Sequence, residues 1–594
     1  MDRSIRSARL ALAASKPASE TALGLPPIGI SAVFALIFAL ALAGSARAAE
    51  EIQCGVLAPV VDRACDVTAG TDGQILLQGD VLADGQIYRG GSVLVDTTGD
   101  ISCSGCGCSA PDATVIRCPE SVISPGLINA YDHITFSQNA PAIDTGERYE
   151  QRHDWRAGAR GHAPLASVPG GATTNQIRWA ELRQLMSGTT AVSSSGGAAG
   201  LVRNLDSAAN QGLGIPTHRR DTFPLGDSSG TQLATGCAYP NIRTSASIAS
   251  DAGYLPVIAE GIDDVAHNEF LCTSSAAAGG QDLLQPQTAI GKGLGYETQD
   301  FQTIQWNGAG LIWSPRSNLR LYGDTLRVTA AGPIEIAIGT DWTATGSMNM
   351  LRELSCVDSW NHAYLADHFS QEEIWRMATK TAASLTATSS EIGTLAPGRV
   401  ADLAIFDATI RSDYDAILNA QPDDVILVMR AGKVLFGEEQ TVNDVPNVGS
   451  CDTLDVCGSD RAACLSSEIG VTLAALQAGA GSVYPLFFCG TPVEEPTCSP
   501  QRSSSVNGST TYDGLTTPGD LDGDGLVNAG DNCPSVFNPV RPLDDGAQPD
   551  YDLDGLGDEC DPTPVPEPGV AGGLLGIGCI VTVGVAGRRF GRVA

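Results

Sequence analysis

Apolar and polar positions alternate over short stretches at both flanks of the chain, and the spacing becomes mixed in the middle. In residues 51–125, the stretches 74–82, 86–88 and 91–96 sit between Gly and Asp turns and predict short strands. Between 126 and 395, strand-length apolar segments (Thr190–Ser194, Ala309–Trp313, Ile334–Ile338) alternate with helical patterns such as Ile177–Met186 and Glu372–Ala383. That alternation over about 270 residues predicts a (β/α)8 TIM barrel. Strand patterns return in 396–440, at Asp402–Asp407, Asp424–Arg430 and Gly432–Phe436. The expected fold is therefore α/β: a barrel with a β-sandwich split between its two flanks.

Both ends depart from this alternation. Residues Ile28–Ala43 form an apolar run broken by Ser31, preceded by Arg3, Arg6, Arg9 and Lys16 and closed by Gly44-Ser-Ala-Arg-Ala48. A basic region, an apolar stretch and small residues before a cut describe a secretory signal peptide over 1–48, with a retained membrane anchor as the alternative. At the other end, Val565-Pro-Glu-Pro568 precedes the apolar, Gly-rich run Gly569–Gly587 and then Arg588, Arg589 and Arg592. Such a run can just span a bilayer. Over 565–594 the chain resembles a PEP-CTERM sorting signal of Gram-negative bacteria. That resemblance implies export and a C-terminal sorting machinery as partner, with a cell-envelope or extracellular location; the alternative is an ordinary single-pass anchor.

Charge and cysteine content sharpen this. The 594 residues hold 35 basic and 68 acidic side chains, a net charge of -33, so nucleic acid is not an expected partner. Removing 1–48 takes away five basic and two acidic residues and leaves the rest at -36. Seventeen cysteines point to an oxidising compartment. Cys103, Cys106, Cys108 and Cys118 could suggest a metal, but in an exported chain disulfides are the preferred reading. Residues 445–510 contain Cys451, Cys457, Cys464, Cys489 and Cys498 and suggest a disulfide-pinned extension wrapping the body. Their odd number requires a partner from outside the segment or leaves a free thiol. The Ser-, Thr- and Gly-rich stretch 499–519 reads as a linker.

Residues 512–561 carry thirteen acidic residues and one basic residue. Asp520, Asp522 and Asp524 are spaced by two, with Gly523 and Gly525 allowing a tight turn, and Asn528 and Asp531 continue the spacing; Asp550, Asp552, Asp554 and Asp558 form a second set. Calcium takes six to eight oxygen ligands, and carboxylates so crowded repel one another without a cation. The pattern over 512–562 resembles thrombospondin type 3 repeats, which implies bound calcium and a Cys533–Cys560 disulfide. The expected role is a calcium-braced spacer before the C-terminal signal; the bland alternative is a solvated acidic linker.

The longest-range pattern is Ser124-Pro-Gly-Leu-Ile-Asn-Ala-Tyr131-Asp-His133, then Ile338-Gly-Thr-Asp341-Trp342, then Pro397-Gly-Arg-Val-Ala-Asp402-Leu. In this order the motifs resemble the amidohydrolase superfamily, in its imidazolonepropionase, chlorohydrolase and deaminase branch. The resemblance implies zinc or iron at the strand ends and hydrolysis of a non-peptide C–N bond, in a cyclic amide or amidine, of a small-molecule substrate. Carried over residue by residue, the first histidine of the strand-1 pair is Tyr131 and the second is His133. The strand-5 histidine falls on Val257 and the proton-shuttling glutamate on Glu260. The strand-6 histidine falls on Lys292, and the strand-8 acid is Asp341, the implied base. Valine has no lone pair, and a lysine ligates only when deprotonated or carbamoylated. Either Tyr131, His133, Lys292 and Asp341 form a nonstandard metal set, or the Lys292 ammonium replaces the metal charge and pairs with Asp341. The alternative function is a noncatalytic binding or structural protein at the cell surface. Three further groups have both a site and a structural reading: Tyr149–Arg156, Arg203–Asp206 and Trp313–Asn318. Trp342 either walls the pocket or belongs to the core.

Overall fold

The protein is described by a computed structural model over residues 49–564. The expected signal peptide (1–48) and C-terminal sorting signal (565–594) lie outside the described residues. Among the described residues no helix is long and apolar enough to cross a membrane.

Strands β1 (Glu50–Gln53), β2 (Asp66–Thr68), β3 (Ile75–Ala83), β4 (Gln86–Val95), β5 (Ile101–Gly105) and β6 (Thr114–Pro125) form the first flank. The stretches 86–88 and 91–96, expected as two strands, are one strand. A register shift between Gly79 and Val81 on β3 absorbs Gly90, so pairing continues from Val81–Tyr88 to Gly79–Gly91.

The body contributes β7 (Leu127–Asn129), β8 (Thr189–Val192), β9 (Arg203–Asn204), β10 (Arg219–Asp221), β11 (Tyr254–Pro256), β12 (Ala289–Gly291), β13 (Gly310–Trp313) and β14 (Ile336–Ile338). All their ladders are parallel: β7–β8–β9, β10–β11 and β12–β13–β14. Parallel bridges Asp132–Asp341 and Val257–Gly291 carry the pairing from β7 to β14 and from β11 to β12. The array thus runs from β9 round to β10, and among the described residues no ladder joins those two. Helices Thr174–Leu185, Asp264–Thr273, Thr298–Trp306 and Pro315–Tyr322 lie between successive strands. Ile128, Ala191, Leu255, Ala289, Ile312 and Ala337 from six of these strands share one buried cluster. The expected helix 372–383 is two helices, Gln371–Met377 and Lys380–Leu385, because Thr379 leaves helical geometry at φ -131° and ψ -96°.

The second flank holds β15 (Leu403–Asp407), β16 (Val425–Arg430), β17 (Lys433–Glu438), β18 (Asp452–Val456) and β19 (Ser459–Ala463). The two flanks, expected to share one split strand domain, bury a common core. They form one eleven-stranded sheet, joined where β15 pairs antiparallel with β6. The Cys-rich extension adds β18 and β19 to it.

Gly126 is the single residue between β6 and β7. A Cβ there would lie 2.3 Å from Thr190 Oγ1, so glycine is what lets the sheet run into the body. Its amide donates to Asp402 O, and the Asp402 carboxylate takes two hydrogen bonds from Arg203, at 2.6 and 2.9 Å. Two stretches far apart in sequence, Pro125-Gly126-Leu127 and Ala401-Asp402-Leu403, therefore meet at a buried ion pair. Arg203, one of the candidate site residues, is structural.

All sixteen cysteines in the described residues form disulfides: 54–106, 65–118, 103–108, 237–272, 356–498, 451–464, 457–489 and 533–560. Cys356 on the body is the outside partner that the odd count in 445–510 required. Eight disulfides indicate an extracytoplasmic environment. The extension clasps the body where Arg183 donates to Tyr484 O and Pro485 O, both at 2.8 Å.

Two sequence expectations fail at the C-terminus. The stretch 499–519 is no free linker: Arg502 and Tyr512 are buried, and Arg502 donates to Tyr149 O and Tyr322 O at 3.0 and 2.8 Å. The acidic segment is no projecting spacer either. Arg541 is buried against Asp324 and donates to Leu294 O at 2.9 Å, while Arg327 reaches back to Asp544 and Glu559 at 2.6 Å. Buried arginines need such partners, so the segment lies against the body.

Two stability predictions follow from buried charge. Arg203→Met leaves Asp402 buried and unpaired and should cost about 3–5 kcal/mol in urea denaturation at pH 7. Glu181 accepts from Ala198 N at 2.8 Å and Asn204 Nδ2 at 3.0 Å, and burial pushes its carboxyl from 4.5 to about 7. A raised carboxyl favours the folded state below the unfolded value and loses that contribution as pH rises through the folded one. From pH 5 to 8 the wild type should therefore lose about 1–3 kcal/mol relative to Glu181→Gln. Parallel pH profiles would contradict the assignment.

Candidate functional site

The C-terminal ends of the parallel strands carry the chemistry. Tyr131 and His133 follow β7, Val257 and Glu260 follow β11, Lys292 follows β12 and Asp341 follows β14. Three residues there have left-handed backbone: Ala259 (φ 58°), Lys292 (φ 61°) and Asp341 (φ 63°). For non-glycine residues each costs on the order of 1–3 kcal/mol and persists where the surroundings over-determine it. Asp341 is held by its amide donating to Tyr131 O at 2.9 Å.

Lys292 Nζ is 2.7 Å from Asp341 Oδ2 and 3.2 Å from Glu260 Oε1, and all three side chains are buried. Ser317 Oγ donates to Asp341 Oδ2 at 2.6 Å, and Tyr322 OH donates to Glu260 Oε1 at 3.0 Å. Both donors lie on the helix Pro315–Tyr322, so one turn-and-helix after β13 orients both acids. Trp155 Nε1 in turn donates to Tyr322 OH at 2.9 Å.

Burial alone would discharge Lys292, but Asp341 and then Glu260 outweigh it and hold the ammonium above the ordinary lysine range. Burial likewise opposes ionisation of Glu260; Lys292 and Arg152 prevail and hold its carboxyl below the usual value. Burial lifts the Asp341 carboxyl, with Lys292 opposing. His133 is pushed well below 6.5 by burial and then by Arg220, Lys292 and Arg152, so its imidazole is neutral at pH 7.

The zinc or iron that the sequence resemblance implies does not fit this arrangement. Val257 offers no donor atom. The Lys292 nitrogen is a charged ammonium, and the Arg220 guanidinium lies 4.1 Å from the Tyr131 ring centroid. What remains is Asp341 Oδ1, buried without a partner, and His133 Nε2 3.9 Å from it. Two donors do not make a catalytic transition-metal site, for which three are usual. Among the described residues, the groups of three or more His, Cys, Asp or Glu within joint ligating reach are Glu150–Asp154–His162, Asp520–Asp522–Asp524 and Asp550–Asp552–Asp554. None includes His133 or Asp341. In the first, Glu150 is paired with Arg502 and Asp154 with Arg160.

A cavity of about 460 Å³ opens above Lys292. Trp155, Trp342, Phe136 and Phe223 give it aromatic walls, and Arg152, Arg156 and His133 line it with Glu260 and Asp341. Trp342 and Trp155 have ring centroids 5.9 Å apart, and Lys292 Nζ is 5.7 Å from the Trp155 centroid. Of the groups with two readings, Tyr149–Arg156 supplies this wall through Arg152, Trp155 and Arg156. Arg316 instead pins Ser347 Oγ and Arg352 O at 2.7 and 2.9 Å, the structural reading. Sequence reasoning missed Arg220, Phe223 and Tyr322. A readable signal existed for Arg220, a paired arginine in a strand-length segment of a chain poor in basic residues; Tyr322, closing a helix before Gly323, offered none.

The acidic segment brings Asp520, Asp522 and Asp524 together. Asp522 and Asp524 are buried, and burial and then neighbouring carboxylates push Asp522 up to about 8, while burial takes Asp524 to about 7. Asp522 Oδ2 and Asp531 Oδ2 are buried without partners. Asp531 Oδ1 accepts from Gln548 Nε2 at 2.9 Å. In the second set, Asp550, Asp552 and Asp554 cluster, but Asp558 turns to the body, where it accepts from Thr298 Oγ1.

Residues 245–435 match the amidohydrolase family. An 8-oxoguanine deaminase of Pseudomonas aeruginosa is 32% identical over 128 residues, 21% of this chain and 28% of that protein. A 5-methylthioadenosine/S-adenosylhomocysteine deaminase of Symbiobacterium thermophilum is 26% identical over 153 residues, 24% of this chain and 35% of that protein. The chain thus matches about a third of the length of these curated relatives. Among solved structures, a zinc-bound adenosine deaminase from Xanthomonas campestris aligns with TM-score 0.46 and 16% identity over 68% of this chain and 96% of that one. An atrazine chlorohydrolase from Arthrobacter aurescens with zinc aligns with TM-score 0.43 and 16% identity over 63% and 97%. Residues 245–435 are thus similar to the amidohydrolase family, and the strand ends carry an incomplete set of the metal ligands that this similarity implies.

Proposed function

We propose that the body hydrolyses a non-peptide C–N bond, in a cyclic amide or amidine, of a small planar molecule, and that the Lys292 ammonium acts there in place of a metal. The observation that carries this reading is Lys292 Nζ set between Asp341 and Glu260 on the floor of an aromatic-walled cavity. An ammonium fixed in a buried site stabilises charge developing on the oxygen or nitrogen of the attacked carbon. Asp341 Oδ1, facing the neutral His133, is the base for water: the water O–H breaks, its oxygen bonds to carbon, and the C–N bond breaks. The proton taken by Asp341 returns to the leaving nitrogen along the hydrogen-bonded line through Lys292 and Glu260.

Lys292→Met should lower turnover of cyclic amides or amidines at least ~100-fold, the scale of losing one preorganised charge donor. The purified chain should hold less than about 0.1 zinc, iron or manganese, and turnover should survive a chelator. Turnover restored by added metal would return the family's metal mechanism. A second reading, a noncatalytic binding protein at the cell surface, is favoured by Val257 and by two acids already held in ion pairs with Lys292. It wins if planar ligands bind and none is turned over.

The acidic segment we assign to calcium, in thrombospondin type 3-like loops. The support is chemical: an all-oxygen donor set with the unpartnered Asp522 Oδ2 and Asp531 Oδ2. Export from a Gram-negative cell, with the C-terminus as a sorting signal, is the location that fits the disulfides and the terminal sequences. Calcium added to the whole chain should raise its melting temperature with a Kd of about 10⁻⁴–10⁻³ M or tighter, and Asp522→Asn with Asp524→Asn should remove the effect. No shift up to about 10 mM calcium would discard the assignment.

A further inference from the structure

Charge on the cavity wall is uneven in a way the reaction does not require. Arg152 is buried, and its Nη2 donates to Thr222 O, yet its Nε and Nη1 have no hydrogen-bond partner. Two carboxylates, Asp227 and Glu260 through its Oε2, face these nitrogens from beyond hydrogen-bond length. Asp227 Oδ2 lies 2.8 Å from His153 Nε2 and 3.9 Å from Arg152 Nη1. Glu260 holds Lys292 and Tyr322 and lies 3.7 Å from Arg152 Nε. Beside Arg152 stands a second cation: the Arg152 and Arg156 guanidinium carbons lie 4.5 and 4.7 Å from the same Phe223 ring centroid. Two like charges at one aromatic ring repel, and unpaired buried N–H groups cost about 1–3 kcal/mol.

The charged groups lining the cavity are Arg152, Arg156 and Lys292 against Glu260 and Asp341, with His133 neutral. The lining side chains therefore carry one excess positive charge, with Asp227 and Arg220 just outside them offsetting each other, in a chain whose net charge is -33. A ligand of charge -1 balances that excess. A carboxylate fits a guanidinium in two parallel hydrogen bonds, and the Trp155–Trp342 wall suits a flat ring.

We infer that the cavity selects planar monoanions, an aromatic or conjugated ring bearing one carboxylate, with the carboxylate held between Arg152 and Arg156 against Phe223 and the ring directed toward Lys292. The inference rests on reading this cavity as the small-molecule site, and it names the substrate class. Arg152 and Arg156 are then specificity residues, remote from the bond that breaks.

Naphthalene-2-carboxylate and naphthalene-2-carboxamide have the same ring and differ in charge. Titrated calorimetrically into the whole chain, the carboxylate should bind at least ~10-fold more tightly than the amide, and raising salt from 50 to 500 mM should narrow the gap. Arg156→Gln, at a half-buried position, should remove most of the preference, with the larger loss falling on the carboxylate. Arg152→Lys keeps the charge but not the planar fork and should weaken the carboxylate alone. Equal affinities, or an amide that binds better, would overturn the anion site and leave the small-molecule reading standing. If neither probe binds, both readings fall.

Discussion

Three charges buried together at the strand ends set the terms for the rest of this molecule. Lys292, Asp341 and Glu260 lie out of water, where an unpaired ion would cost several kcal/mol. They are tolerated because each is answered at short range: the ammonium by two carboxylates, Asp341 by Ser317, Glu260 by Tyr322. That requires exact placement of three turns, and two of the three charges, Lys292 and Asp341, sit on left-handed backbone. The strain is held by what surrounds it. Tyr322 O accepts from Arg502, and Leu294 O, two residues beyond Lys292, accepts from Arg541. The C-terminal segments are thus an outer brace on the loops that carry the ion pairs.

That brace marks where the sequence was legible and where it was not. The Pro125-Gly126-Leu127 entry into the body, the strand before Asp341 and the turn at Asp402 could be read because their periodicity and turn residues are local. The positions of Val257 and Lys292 at strand ends follow from the apolar stretches just before them. Strand β9, with two residues, is too short to leave a period, and the union of the flanks into one sheet depends on β6 pairing with a strand more than 270 residues later. Arg502 and Arg541 sit in polar, turn-rich sequence that reads as linker or spacer. Their partners, Glu150 and Asp324, are distant in the chain, and nothing local announces the burial.

The same distinction applies to the site. The resemblance offers ligand positions, and that valine has no donor atom and an ammonium no lone pair is a statement about side-chain chemistry alone. What that does to the site needs geometry. The ammonium reaches both acids at once and leaves Asp341 Oδ1 free beside a neutral histidine. The groups that set those states, Arg152 and Arg220 among them, come from a helix after β7 and from β10.

An ammonium acting in place of a divalent cation, as proposed for Lys292, would change the charge such a cavity can hold. A metal would bring two positive charges to donors that are largely anionic. Here one charge is fixed to the chain, shared between two carboxylates, and short of neutralising them by one unit. Arg152 and Arg156 more than restore that unit from beside Phe223, with Arg152 Nε 3.7 Å from Glu260 Oε2. The cavity is thus polarised, with negative charge gathered at the strand ends and positive charge at Phe223. A ligand carrying its own negative charge has one orientation that lowers its energy in this field, and that orientation presents its far end to Lys292.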